Sequence, residues 1–317
     1  MKSLSFLLTI ALIASSAVAA EEAVQLKNST GTIYGTLLMP ATPKRVPVVL
    51  LIAGSGPTDR NGNSAMLPAP NNSLELLAEA LAARNIASLR YDKRGIGESK
   101  AAMTAEKDLR FDTYVDDAVA WTNQLNKDPR FTGVVIAGHS EGALIGTIAA
   151  QRAPVIGFVS IAGVSEAADE VLRRQLAGKL PPDLVDFNEK ALTALKSGKP
   201  VENVPPAIAV LYRPSVQPYL ISWFRYDPAA EIRKLKIPVL VVQGTTDIQV
   251  RVDDARALAA AKPGSKLEII DGMNHVMKMV PADRTKQIAS YSDPALPVSQ
   301  RLVDAIASFV DQAATAR

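Results

Sequence analysis

Hydrophobic and polar positions along the chain follow two periods. Runs rich in Val, Ile and Leu at Val46–Ile52, Ile86–Leu89, Val134–Ile136, Val155–Ile161, Pro238–Gln243 and Lys266–Ile270 read as strands. Val24–Lys27 and Ile33–Met39, joined around Thr30-Gly31, read as a hairpin. Between the strands apolar residues recur at helical spacing. Leu74, Leu77, Ala78 and Leu81 follow Ser73, which reads as an N-cap, and Val115, Ala118, Val119, Thr122 and Leu125 follow Asp112. Ala143, Leu144, Ile145, Ile148 and Ala149 form a third helical face, with further helices near Asp253–Ala261 and Ser299–Ala313. Strands alternating with helices predict an α/β fold, a mostly parallel central sheet with helices on both faces.

The alternation stops after Ile161. Residues 165–225 are charged, helical in pattern and interrupted by Pro181, Pro182, Pro200, Pro205, Pro206, Pro214 and Pro218. This predicts a helical cap at 165–225 inserted into a core formed by 21–164 and 226–317. Before the core, Lys2 precedes an apolar segment, Leu4 to Val18, and small residues Ala17-Val18-Ala19-Ala20. A short cationic start, a brief apolar stretch and a small-residue cleavage point predict a secretory signal peptide over 1–20, cut near Ala19 or Ala20. The expected location is periplasmic or secreted. The apolar stretch is too short for a comfortable span, so no stable membrane insertion is expected after cleavage.

Composition narrows the chemistry. At 317 residues and 48% hydrophobic the chain can bury a core without crosslinks, and it holds no cysteine for a disulfide or a thiolate metal site. Its 35 basic and 32 acidic residues are scattered, with a net charge of +3, which is no nucleic-acid footprint. No G-x-G-x-x-G joins a strand to a helix, and Gly178-Lys179 and Gly198-Lys199 are followed by Leu and Pro instead of the Ser or Thr of a phosphate loop. No serine has a lysine three residues on, which excludes the S-x-x-K signature. No cofactor and no metal are expected, and the expected partner is a small-molecule substrate.

The candidate chemistry centres on Gly138-His139-Ser140-Glu141-Gly142, which lies between a strand and a helix. In that context G-x-S-x-G puts the serine hydroxyl on a sharp turn at the carboxyl end of the strand. Ser140 then needs a base, because a neutral hydroxyl is a weak nucleophile. The chain has only two histidines. His139 adjoins Ser140 on the turn and should point away from it, which leaves His275, in Asp271-Gly272-Met273-Asn274-His275 just past a strand. A carboxylate must orient that imidazole. Asp247 follows the strand ending at Gln243 and lies between Ser140 and His275 in the chain. Its rivals are Asp253 and Asp254, which look like first-turn residues of the next helix, and Asp271 on the His275 loop. An oxyanion needs two backbone donors. The N–H of Glu141 supplies one, and Gly54-Ser55-Gly56, after the strand ending at Ile52, offers the Ser55 N–H as the other.

With these residues in place, the chain resembles the α/β-hydrolase superfamily over most of its length past the leader. More narrowly it resembles bacterial esterase-like hydrolases with a helical cap. The matching runs are Gly54-Ser55-Gly56-Pro57-Thr58-Asp59-Arg60-Asn61-Gly62, Tyr91-Asp92-Lys93-Arg94-Gly95-Ile96-Gly97-Glu98-Ser99, Gly138-His139-Ser140-Glu141-Gly142 and Gly244-Thr245-Thr246-Asp247. The resemblance implies carboxylic ester hydrolysis through an acyl-enzyme, with Ser140, Asp247 and His275 as triad and Ser55 and Glu141 as oxyanion donors. Asp59, Arg60, Asp92 and Arg94 also match, and are expected to brace their loops, since an always-charged arginine is a poor general acid. Tyr219, Trp223 and Phe224 either line an acyl pocket or pack between cap and core. The rival readings are a serine peptidase of the prolyl-oligopeptidase type and a catalytically silent binding protein on the same fold.

Overall fold

The computed structural model describes residues 19–103 and 105–316; the expected signal peptide lies almost wholly outside them. Eight strands form one sheet: β1 (Ala20–Asn28), β2 (Gly31–Met39), β3 (Val46–Ile52), β4 (Ala87–Tyr91), β5 (Phe131–His139), β6 (Gly157–Ile161), β7 (Val239–Gly244) and β8 (Lys266–Ile270). Their spatial order is β1-β2-β4-β3-β5-β6-β7-β8. The six strands from β4 to β8 in that order run parallel, and the β1–β2 hairpin adds an antiparallel edge. β5 lies inside the parallel array, where both of its edges are paired.

Strand period explains the layers. Side chains alternate faces along a strand, so a strand buried on both sides reads as a continuous apolar run. Val48, Leu50 and Ile52 of β3 join Val134 and Ile136 of β5 in one apolar cluster, while Val49, Leu51, Val135 and Ala137 join another. Helices α1 (Ser73–Ala82), α2 (Phe111–Lys127) and α3 (Glu141–Arg152) follow β3, β4 and β5. Four α-helices then lie within residues 165–225: α4 (Ala168–Leu176), α5 (Pro182–Lys196), α6 (Ala209–Tyr212) and α7 (Gln217–Trp223). Helix α8 (Pro228–Arg233) completes the helical run between β6 and β7, and the chain continues with α9 (Val252–Ala261), α10 (Arg284–Ser290) and α11 (Gln300–Thr315). Apolar faces of α2, α3 and α9 cover one side of the sheet, and α1 and α11 cover the other. The expected cap segment packs on the α2 side, where Leu184, Leu192, Tyr212 and Phe224 extend the same cluster. No helix among the described residues is long and apolar enough to cross a membrane.

One local expectation needs correction. Ser73 is the first residue of α1 instead of its cap; Asn72 holds the cap position with φ 54° and ψ 27°, a left-handed turn that asparagine tolerates. The Ser73 N–H is instead taken by Asn71 Oδ1 at 2.9 Å. Helix α10 is not marked by the hydrophobic pattern, because only Gln287 and Ser290 of it are buried and it carries no apolar stripe.

Ile136, with no exposed surface, sits mid-strand in β5. Ile136→Ala should cost about 2–5 kcal/mol of unfolding free energy, through lost burial and a residual cavity. Urea unfolding by circular dichroism measures this, and a cost below about 1 kcal/mol would contradict the packing described.

Candidate active site

Ser140 is the single residue between β5 and α3, and its backbone has φ 55° and ψ −119°. A non-glycine residue held there costs on the order of 1–3 kcal/mol and persists only when its surroundings over-determine it. They do so by close approach. A Cβ on Gly138 would stand 2.0 Å from the Gly142 carbonyl oxygen, and one on Gly142 would stand 2.3 Å from that of Ile52. Only glycine fits either position. The Ser140 N–H is also tied to the Ile161 carbonyl of β6 at 2.9 Å. Glu141 is the first residue of α3, so its N–H has no partner within the helix and points from the positive end of the helix. Among the described residues the Ser140 hydroxyl makes no hydrogen bond.

Asp247 and His275 come together on the loops after β7 and β8. His275 Nδ1 lies 2.8 Å from Asp247 Oδ2, and both side chains are almost fully buried. The second Asp247 oxygen accepts the N–H groups of Gln249 at 2.7 Å and Val250 at 2.9 Å. Burial alone would raise the Asp247 carboxyl, but the His275 ring and these two N–H groups outweigh it and hold the pKa below the ordinary value. Asp247 is therefore a carboxylate, and His275 donates Nδ1–H to it, leaving Nε2 as the basic nitrogen.

The three rival acids do other work. Asp254 accepts the N–H and hydroxyl of Ser165 and pairs with Arg174 at 3.0 Å. Asp253 is exposed and faces Arg256, and Asp271 accepts the Thr245 hydroxyl at 2.8 Å.

His139 does not simply turn away. Its Nε2 lies 2.8 Å from the His275 carbonyl oxygen, and the two rings pack with centroids 4.8 Å apart. Burial pushes the His139 imidazole down to about 3, and the neighbouring His275 adds to the shift. A neutral ring donating to that carbonyl fixes the His275 backbone beside Ser140. Gln243 was also missed: its amide donates to Asp247 Oδ2 at 3.0 Å and to the Val250 carbonyl at 3.1 Å. Its only sequence signal was a polar residue ending a buried apolar strand. Lys278 was missed too; its buried ammonium bonds the carbonyls of Asn71 and Asp293, clamping the His275 loop to the loop before α1.

The loop after β3 lies against the elbow. A Cβ on Gly54 would be 3.2 Å from Ser140 Cβ, which brings the Gly54–Ser55 peptide beside Ser140. Arg60 and Asp92 pair at 2.7 Å, the Arg60 N–H bonds Asp92 Oδ1 at 2.8 Å, and Glu98 also meets Arg60. Arg94 grips Asp117 with two bonds of 2.6 Å, and Asp59 Oδ1 accepts the N–H groups of Asn61 and Asn63. These four family-matching residues are thus engaged in bracing contacts. Tyr219 and Trp223 pack with the core helix α2: Phe111 stacks on Trp223 at 6.0 Å, and Tyr219 meets the edge of Tyr114 at 5.7 Å. Phe224 is fully buried and presents no surface to a ligand. No group of three His, Asp or Glu among the described residues could hold a metal ion.

A mostly parallel sheet covered on both faces, with a serine on a strained strand-to-helix turn and a His–Asp pair on the loops after β7 and β8, defines an α/β fold of the strand–elbow–helix class. The chain belongs to the Alpha/beta hydrolase family, whose profile matches residues 29–290. It is 28% identical over 286 residues to Esterase EstD of Thermotoga maritima, covering 87% of this chain and 65% of that protein. The chain thus spans less than two thirds of that relative's length. Among solved structures it resembles Est1E from Butyrivibrio proteoclasticus, with a TM-score of 0.62 and 19% identity over 92% of this chain and 99% of that one. A proline iminopeptidase from Mycobacterium smegmatis superposes with a TM-score of 0.59 and 16% identity, over 93% and 99% of the two chains. At these identities the two structures share the fold.

In the unfolded chain His139 takes a proton below about 6.5, whereas in the folded chain it stays neutral down to about 3. Between those values the unfolded state binds the extra proton, so stability is fully present above about 6.5 and is lost as pH falls. The loss from this residue approaches roughly 1.4 kcal/mol per pH unit. Urea titrations of wild type and His139→Gln from pH 7 to pH 4 should show a shallower slope in the variant; parallel slopes would refute the burial effect.

Proposed function

We propose that this protein is an exported serine hydrolase that cleaves carboxylic esters with short to medium acyl chains through an acyl-enzyme on Ser140. The observation that carries the reading is the 2.8 Å His275–Asp247 bond on loops flanking the strained Ser140 turn. His275 Nε2 takes the hydroxyl proton as Ser140 Oγ attacks the ester carbonyl carbon. The carbonyl oxygen becomes an oxyanion and is received by the N–H groups of Glu141 and Ser55. Asp247 stays ionised and stabilises the imidazolium. The tetrahedral species collapses, His275 returns the proton to the departing alkoxide, and the acyl group remains on Ser140. Water then enters by the same route in reverse, with His275 again as base, and releases the acid. The Ser140–His275 hydrogen bond forms as substrate binds, in the manner of apo sites whose catalytic bonds tighten in the complex.

The similarity to an esterase supports esters as the substrate class, although it covers only part of that relative. Export rests on the cationic start, the apolar stretch and the Ala17-Val18-Ala19-Ala20 run. N-terminal sequencing of the protein recovered from a periplasmic fraction should begin at Ala20 or Glu21; a start at Met1 would refute cleavage.

A fluorophosphonate probe should label the wild type and leave Ser140→Ala unlabelled; equal labelling would sink the nucleophile assignment. His275→Ala should lower turnover of a short-chain aryl ester by on the order of 10⁴. The rate should fall in acid with a slope of one proton, because His275 must be neutral to act while His139 remains neutral to about 3. A slope of two would implicate both rings. Aminoacyl amides run beside the esters separate the peptidase reading, and no turnover of either class would leave a binding protein.

A further inference from the structure

Lys93 lies just past β4 and its side chain is 1% exposed. A buried ammonium must have its protons satisfied to remain charged. Its Nζ donates to the Gly54 carbonyl at 2.7 Å and to Glu141 Oε2 at 2.8 Å, and lies 4.9 Å from the centre of the Tyr114 ring. The other Glu141 carboxylate oxygen accepts the Tyr219 hydroxyl at 2.5 Å. The two residues that Lys93 joins are the two that carry the proposed oxyanion donors. Glu141 supplies its own N–H. Gly54 supplies the carbonyl of the peptide whose N–H belongs to Ser55.

In a trans peptide the C=O and N–H point in opposite directions, and none of the described peptide bonds is cis. Lys93 grips the Gly54 oxygen from the buried side. The Ser55 N–H therefore faces the other way, toward the side where Ser55 is exposed and Ser140 stands. That N–H makes no hydrogen bond among the described residues, as a donor kept for a ligand requires. A charge-assisted bond at the carbonyl also polarises the amide, and makes its N–H a stronger donor.

We propose that Lys93 is the positioning residue of the oxyanion hole. One ammonium sets the Gly54–Ser55 peptide and the Glu141 turn in register with each other, and Tyr219 ties that clamp to the helices between β6 and β7. This rests on the ester-hydrolase reading, and fluorophosphonate labelling of Ser140 tests that reading separately. Loss of labelling at Ser140 in wild type would overturn both; labelling of wild type isolates the Lys93 question.

The experiment compares E141Q with K93M/E141Q, since in the double variant no buried charge is left without its partner. Adding K93M should lower kcat for an aryl ester by about 10²-fold, the effect of losing one oxyanion donor, with KM within about threefold. Affinity for a trifluoromethyl ketone, whose adduct with Ser140 carries the oxyanion, should fall by the same factor. A change in kcat below about threefold, or a lower kcat with unchanged ketone affinity, overturns the proposal. Circular dichroism establishes that both variants are folded. Should the double variant not fold, K93R serves, because its longer planar head keeps Glu141 paired but displaces the Gly54 carbonyl. A joint loss of about tenfold in kcat and ketone affinity at constant KM is expected there; wild-type values for both overturn it.

Discussion

The backbone of Ser140 is the constraint on which the rest of the site depends. A serine at φ 55° and ψ −119° is held against its own preference. Three things hold it: the paired interior strand β5 before it, the buried helix α3 after it, and the bond from its N–H to β6. Residues Glu141 to Ala149 of α3 are all buried, so apolar packing over two turns and more offsets the local strain. The strain exposes the hydroxyl at the end of the strand and frees the first N–H groups of the helix beside it. One device thus places a serine hydroxyl beside the positive end of a helix dipole.

Around that turn the loops are held by buried ions instead of by apolar packing. Arg60 with Asp92, Arg94 with Asp117 and Lys93 with Glu141 all lie within or against the loops after β3, β4 and β5. Such pairs add little net stability, because desolvation cancels much of the attraction. What they contribute is geometry, since a buried charge accepts few arrangements of its partners. Asp247 and His275 are held in the same way: four donors converge on Asp247, and His139 and Lys278 pin the loop that carries His275.

The helices between β6 and β7 are continuous with the core. Phe111, Tyr114, Tyr219 and Trp223 form an aromatic cluster between α2 and α7, and Tyr219 reaches through it to the Glu141 carboxylate. The segment that covers the sheet is therefore joined to the turn that carries Ser140.

Much of this was legible in the order of residues. Strand and helix periods read correctly because the sheet is buried on both faces, which forces β3 and β5 into unbroken apolar runs. Gly138, Ser140 and Gly142 stood out because sterics on a tight turn admit few residues, and the scarcity of histidine singled out His275. Helix α10 was not legible, since it buries almost nothing apolar. His139, Gln243, Lys93 and Lys278 were not legible for a different reason. Each is an ordinary polar residue until the fold brings it to one carbonyl or one carboxylate across 4, 39, 136 or 207 positions of chain. The sequence by itself determined which residues can attack, accept a proton and carry a charge, because those are properties of side chains. Only the tertiary structure decided which groups hold them in place, because a hydrogen bond between loops depends on distances that no local pattern encodes.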